Sequence, residues 1–291
     1  CKRASYASKN VVIIHGDCRF LSSMLPNAID VINVDPPYFD QHIYSDISEY
    51  FWQIFRIALE PLIKAGFLFK ESKLSDWKPF SSTVPREGEI IARKGRRKSG
   101  IKSFDEEWYT SQMAVFFKEC FKVLREDGIL LTWFTHRSLE AWKAIISALY
   151  AGGFYVTKIW PVTTELLTRL VSKENSLTLN RTLIIVARKR EKKETSEEEL
   201  RDYALHLMKE MTNVLAEIGT TQSELRTFLQ AAAMCAATKV PLPQNVSNPI
   251  HFCKSKLIPR LVNLAEEMFP VMYEQLSKKE PERTLEDFMD R

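Results

Sequence analysis

The stretch that most limits what this chain can become is Val31-Ile32-Asn33-Val34, followed at once by Asp35-Pro36-Pro37-Tyr38. A nearly unbroken β-branched run reads as a buried parallel strand, and ligands collect at the carboxyl ends of such strands. The prolines stop the ladder and stiffen the exit, because proline fixes φ and has no amide donor. An acidic side chain and an aromatic ring are thereby presented together on a rigid support. A carboxylate with the neighbouring Pro36 carbonyl can accept both hydrogens of an exocyclic amine, while the Tyr38 ring stacks on the attached base. A strand exit with a chance Pro-Pro is the plain reading of the same four residues.

The rest of the chain supplies an α/β setting. Val11–His15 reads as a first buried strand ending at Gly16-Asp17-Cys18, and residues 1–10 read as a frayed polar segment. A short amphipathic helix around Phe20–Leu25 leads to the strand at 30–34. After Tyr38, the pattern Ile47, Tyr50, Phe51, Ile54, Ala58, Leu59 predicts a helix, with Asp46 and Glu49 as a capping box. Phe51 and Trp52 are expected in the core, and Phe39 and Tyr44 beside the active loop. Helices over 105–126 and 138–151 alternate with strands over 129–135, 154–160 and 182–187, which is βα patterning. His136 sits at a strand end, where capping or a substrate contact would both suit it. Glu165 follows a strand and two threonines, as a candidate for ordering a pocket.

Residues 70–103 break the pattern with prolines, glycines and the cluster Arg93-Lys94-Gly95-Arg96-Arg97-Lys98. Seven positive residues face Glu87 and Glu89 between Arg86 and Lys102. A long loop of this kind is either a solvated mobile insert or a surface for a phosphate backbone, through Arg93, Lys94, Arg96, Arg97 and Lys98. Beyond Arg190 a charge run opens an all-helical tail, with capping boxes at Ser196/Glu199 and Thr221/Glu224 and last helices near 250–277 and 281–290. The expected division is a catalytic portion over 1–190 and a helical docking domain over 191–291.

Composition excludes several classes. The five cysteines are scattered and form no CxxC pair, which argues for a reducing cytoplasm and against a zinc site. No apolar run reaches membrane-spanning length, and no signal-peptide pattern opens the sequence. A net charge of +4 permits a nucleic-acid partner without requiring one.

The Asp35–Tyr38 loop resembles the fourth motif of the amino-methyltransferases. With Gly16-Asp17-Cys18, Tyr44-Ser45-Asp46-Ile47-Ser48, His136…Glu140-Ala141-Trp142, Ala151-Gly152 and Trp160–Glu165, the chain is similar to the adenine-specific DNA methylases whose longer members carry a zinc-ribbon. That resemblance implies a Rossmann-like sheet, S-adenosylmethionine as cofactor, and methyl transfer to adenine N6 in DNA. The Asp form of the motif is usual for adenine, a Ser form for cytosine N4. It implies that Asp35, Pro36, Pro37 and Tyr38 are catalytic, that Phe39, Tyr44, His136 and Glu165 meet the substrate, and that Asp17, Cys18 and Asp35 meet the cofactor. A turn role for Asp17 fits its sequence equally well.

Two departures stand out. The zinc-ribbon's cysteine pairs are absent. The family's Gly-rich cofactor loop is absent too: the chain has nine glycines and no G-x-G. In the family's sheet order, the missing strands belong between the strand at 11–15 and the strand at 30–34. Their absence would leave flanking backbone groups unpaired. The expectation is a second polypeptide, or a removed segment, that supplies the Gly-rich half. RNA base methylation, or a non-catalytic nucleic-acid-binding scaffold, are the competing readings.

Overall fold

The structure, a computed structural model, describes residues 5–8, 11–14, 16–25, 27–65, 83, 84, 86, 88–92, 105–163, 181–190 and 193–278. Glu165, the basic cluster Arg93, Lys94, Arg96, Arg97 and Lys98, and the helix expected over 281–290 lie outside the described residues. The architecture is α/β. A four-stranded mixed sheet is built from β3 (Ile29–Val34), β4 (Leu124–Phe134), β5 (Phe154–Thr163) and β6 (Arg181–Lys189), in the order β3-β4-β6-β5. β3 and β4 run parallel, with Val31 opposite Ile129 and Val34 opposite Thr132. β6 is antiparallel to both neighbours, pairing Leu130 with Ala187 and Phe154 with Lys189. The carboxyl ends of β3 and β4 therefore open on the same side, at Asp35 and Thr135.

Two helices cover the sheet. The first, α2 (Glu106–Val123), is capped by the Asp105 carboxylate, which accepts the Trp108 amide. The second, α3 (Leu139–Gly152), starts at the Ser138 cap and stops at Gly153. Gly153 takes the left-handed φ of 92° that closes the helix. The two helices touch closely at Gly152, where an added Cβ would lie 2.5 Å from Phe117 Cβ. The core between helices and sheet holds Phe117, Leu130, Phe134, Trp142, Ile145 and Ile185 at essentially zero exposure.

The tail is helical, as its periodicity predicts. It comprises α4 (Glu197–Ile218), α5 (Gln222–Ala236), α6 (Pro249–Phe252), a π turn (Cys253–Leu257) and α7 (Ile258–Lys278). Both expected capping boxes form. The buried apolar cluster runs without a break from the sheet and α3 into these helices, through Met208, Phe228 and Leu261. Among the described residues no helix is long and apolar enough to cross a membrane.

The amino-terminal third departs from expectation. Val11–Ile14 is a strand, β2, but not a buried one: it pairs antiparallel with β1 (Ser5–Ser8) in a separate two-stranded sheet. Val11, Val12 and Ile13 are 56%, 62% and 57% exposed. A strand needs a neighbour for its amides, and this one finds it in the segment nearest in the chain instead of in the four-stranded sheet. The helix α1 (Tyr44–Lys64) forms where its spacing predicts, yet Phe51 is 52% exposed and Trp52 is half-buried, so neither is core. The Asp46/Glu49 capping box does not form. The helix begins two residues before Asp46, Asp46 pairs with Arg86, and Glu49 accepts the Val84 amide at 2.9 Å.

Candidate active site

The loop that leaves β3 is held from three directions. Pro36 and Phe39 are buried, Pro37 and Tyr38 half-buried, and Asp35 exposed. Phe39 adopts a φ of 56°, the only positive φ at a non-glycine among the described residues. That conformation costs about 1–2 kcal/mol for a residue with a Cβ and persists only where the surroundings enforce it. Here they do. The Phe39 amide donates to the Pro37 carbonyl at 3.0 Å, and the Phe39 carbonyl accepts the Ala92 amide at 3.0 Å. The Phe39 ring meets Tyr109 edge-on at 5.2 Å and His136 at 5.8 Å.

Tyr109, in the first turn of α2, is fully buried and donates its hydroxyl to the Pro37 carbonyl at 2.7 Å. Burial pushes its phenol far above the ordinary range, so it stays a donor. The sequence reading passed over Tyr109. Its spacing to Met113, Phe117 and Cys120 along one helix face was the available signal. Ile90, Ile91 and Ala92 were also missed: they lie inside the expected mobile insert, yet they are buried at 8%, 4% and 5% exposure.

His136 braces the far side. The Ser138 amide donates to His136 Nδ1 at 2.9 Å, which assigns the ring proton to Nε2, 3.0 Å from Asp40 Oδ1. Its carbonyl accepts the Trp142 indole N–H at 2.7 Å. Both ring nitrogens are thus used inside the chain, so His136 holds the loop by its ring and its backbone together.

The open face gathers Asp35, Tyr38 and Tyr44. Tyr38 packs its ring edge-on against Phe134 at 5.7 Å, and Phe134 does the same against Trp142 at 4.9 Å. Burial raises the Tyr38 phenol, and the Asp35 carboxylate raises it further by hydrogen bonding and charge. Tyr44 is raised by burial and then by the charges of Asp35 and Glu89. Glu89 in turn accepts the Ser45 amide at 3.1 Å, pinning the start of α1 beside the site. Among the described residues the Pro36 carbonyl accepts no hydrogen bond. The outcome is an exposed carboxylate and a free carbonyl on a rigid loop with two tyrosines. That arrangement suits a planar group carrying N–H donors.

Among the described residues, Asp17 meets this group only through Arg19, whose guanidinium would lie 3.4 Å from a Cβ added at Gly88, the residue before Glu89. The Asp17 carboxylate caps the 3-10 turn Cys18–Ser23 through the Arg19 amide at 2.9 Å and takes the Arg19 guanidinium at 2.6 Å. The Arg19 hydrogen bond holds the Asp17 carboxyl below its ordinary range. The turn docks on α2 through Ser22, whose amide donates to Glu119 at 2.9 Å, and through Arg19, which donates to Gln112 at 2.6 Å. Cys18 is exposed. For S-adenosylmethionine the described residues therefore fit only in part. They offer the Asp35 carboxylate, but a single glycine, Gly16, after β2 in place of a Gly-x-Gly turn, and an Asp17 already engaged by Arg19.

No family model and no curated protein matches this chain. One solved structure is similar: a protein of Thermus thermophilus, provisionally named a DNA modification methylase, at 13% identity and a TM-score of 0.28 over 84% of this chain and 94% of that one. A likeness that loose carries no argument.

Proposed function

We propose that this chain is the amine-holding half of an S-adenosylmethionine-dependent methyltransferase acting on adenine N6 in DNA. The observation that carries the reading is the grouping of Asp35, Tyr38 and Tyr44 at the carboxyl end of a parallel strand, next to a Pro36 carbonyl that accepts no hydrogen bond among the described residues. The target base is extruded from the duplex at a cost of a few kcal/mol. It is flanked by the Tyr38 and Tyr44 rings, and its amine donates to the Asp35 carboxylate and the Pro36 carbonyl. Both N–H bonds are then fixed, so the nitrogen lone pair has one direction to point. Asp35 also stabilises the positive charge that builds on that nitrogen, and rigid alignment lowers the barrier further. S-Adenosylmethionine, when bound, supplies the methyl group.

The cofactor's own cradle comes from a second polypeptide carrying a Gly-rich turn after a β-strand. β3 is the edge of its sheet, and its outer side has no strand partner among the described residues. Beside it, α1 exposes Tyr50, Phe51, Ile54, Phe55 and Ile57, at 66%, 52%, 47%, 54% and 74%. A parallel strand added to β3 would place its carboxyl end beside Asp35, where a Gly-rich turn has to be.

The test is tritiated-methyl transfer by the chain isolated with its partner, on unmethylated DNA and on RNA. Label in DNA as N6-methyladenine, lost by at least a thousandfold in Asp35→Ala at unchanged melting temperature, is the expected result. Label in RNA alone would replace the substrate class. Tight nucleic-acid binding without label would make the chain a scaffold.

A further inference from the structure

The loop after β3 has two successive proline carbonyls with opposite fates. The Pro37 carbonyl is committed inward, taking the Phe39 amide at 3.0 Å and the Tyr109 hydroxyl at 2.7 Å. The Pro36 carbonyl takes neither, nor any other donor among the described residues. Proline's ring fixes φ at Pro37, so the ψ of Pro37 is the one soft torsion left between the Pro36–Pro37 peptide plane and the anchored Pro37 carbonyl. The anchor is a phenol with no solvent exposure, on a helix whose start is tied down by Asp105 and by Lys254, which reaches Glu106 at 2.7 Å.

We propose that Tyr109 is a positioning residue that sets which carbonyl of the loop faces the substrate. It commits the Pro37 carbonyl to the interior and leaves the Pro36 carbonyl, which no described donor takes, as the loop's uncommitted acceptor next to Asp35. This rests on the reading that the loop holds an exocyclic amine. Tyr109 touches no substrate. Its contribution is that the two acceptors for the amine stay at fixed separation through the reaction, where an error of about 1 Å can cost a hundredfold in rate. Met113 and Phe117, on the same face of α2, only fill volume; Tyr109 adds a hydrogen bond to the loop.

Tyr109→Phe removes the hydroxyl and keeps the ring, with Tyr109→Leu as the variant that also loses the ring contact to Phe39. Two readouts are taken on the full chain. Amide hydrogen exchange at Phe39 should quicken at least tenfold in Tyr109→Phe, while amides of the β3–β4 ladder such as Leu130 stay as in the wild type. In the assembled enzyme kcat should fall about tenfold with KM for S-adenosylmethionine unchanged, a split that simple loss of folded protein would not give. Unchanged exchange at Phe39, or wild-type kcat in Tyr109→Phe, overturns the proposal. A wild type that transfers no methyl group, with Phe39 exchange still responding to the substitution, supports the anchoring and overturns the methyl-transfer reading instead.

Discussion

The sheet has two edges, and they are built differently. At the β5 edge the Val156 amide donates to Thr238 Oγ1 at 2.8 Å and the Val156 carbonyl accepts the Tyr203 hydroxyl at 2.6 Å. The strand is irregular between Val156 and Lys158, carries Pro161, and has Lys239 seated over the Tyr203 ring at 4.1 Å. A bulge, a proline and a covering layer are the devices by which proteins finish a sheet edge. The β3 edge has no comparable feature among the described residues, Val31 is 54% exposed, and the neighbouring α1 shows its apolar side to solvent. An edge left in that state invites another strand. Among the described residues, then, the β5 edge is covered by this chain and the β3 edge is not, and the proposed partner strand belongs on the β3 side.

Substitutions on the two sides should behave accordingly. Trp142→Ala, in the finished half, should cost about 3–5 kcal/mol by urea unfolding. It empties a fully buried site and strands the His136 carbonyl that the indole N–H serves. The loss should be the same with or without a partner. Tyr203→Phe should cost about 1 kcal/mol, because one protein–protein hydrogen bond to the Val156 carbonyl is lost and the ring remains. Assembly should not change. Phe51→Asp together with Ile54→Asp should shift the stability of the isolated chain least, within about 0.5 kcal/mol per exposed site. The same pair should abolish co-purification of the Gly-rich polypeptide. If the α1 pair destabilises the isolated chain as much as Trp142→Ala does, the contrast between the two sides is wrong.

The finished half was the more legible in sequence. Strands β4 to β6, helices α2 and α3, and the caps at Ser196/Glu199 and Thr221/Glu224 follow from periodicity and end signals, and each of these elements packs on others in this chain, whereas β3 forms where expected but is not the buried strand its β-branched run predicts. The amino-terminal third misled for a physical reason. Val11–Ile14 and the face of α1 carry the composition of buried elements, but burial depends on what lies opposite, which a periodicity does not encode. Asp46 and Glu49 fit the capping spacing, yet the backbone enters α1 through Tyr44, and both carboxylates are drawn to the 84–86 segment. At the site, Asp35, Tyr38 and Tyr44 share one face, whereas Phe39 and His136, expected to meet the substrate, are a buried ring and a ring with both nitrogens engaged within the chain. What spacing could not reveal is the hidden bond from Tyr109 to Pro37, since a tyrosine on the inner face of a helix reads as core whether or not its hydroxyl has work to do.

The most direct measurement is amide hydrogen exchange along β3, residues 29–34, in the chain alone and in the complex isolated from its source. In the chain alone, amides facing β4 should be protected and those facing outward should exchange quickly. In the complex all of them should be slow, and β5 should be unchanged. Outward amides of β3 that stay fast in an assembly active in methyl transfer, or an isolated chain that binds S-adenosylmethionine and transfers its methyl group unaided, would contradict the account.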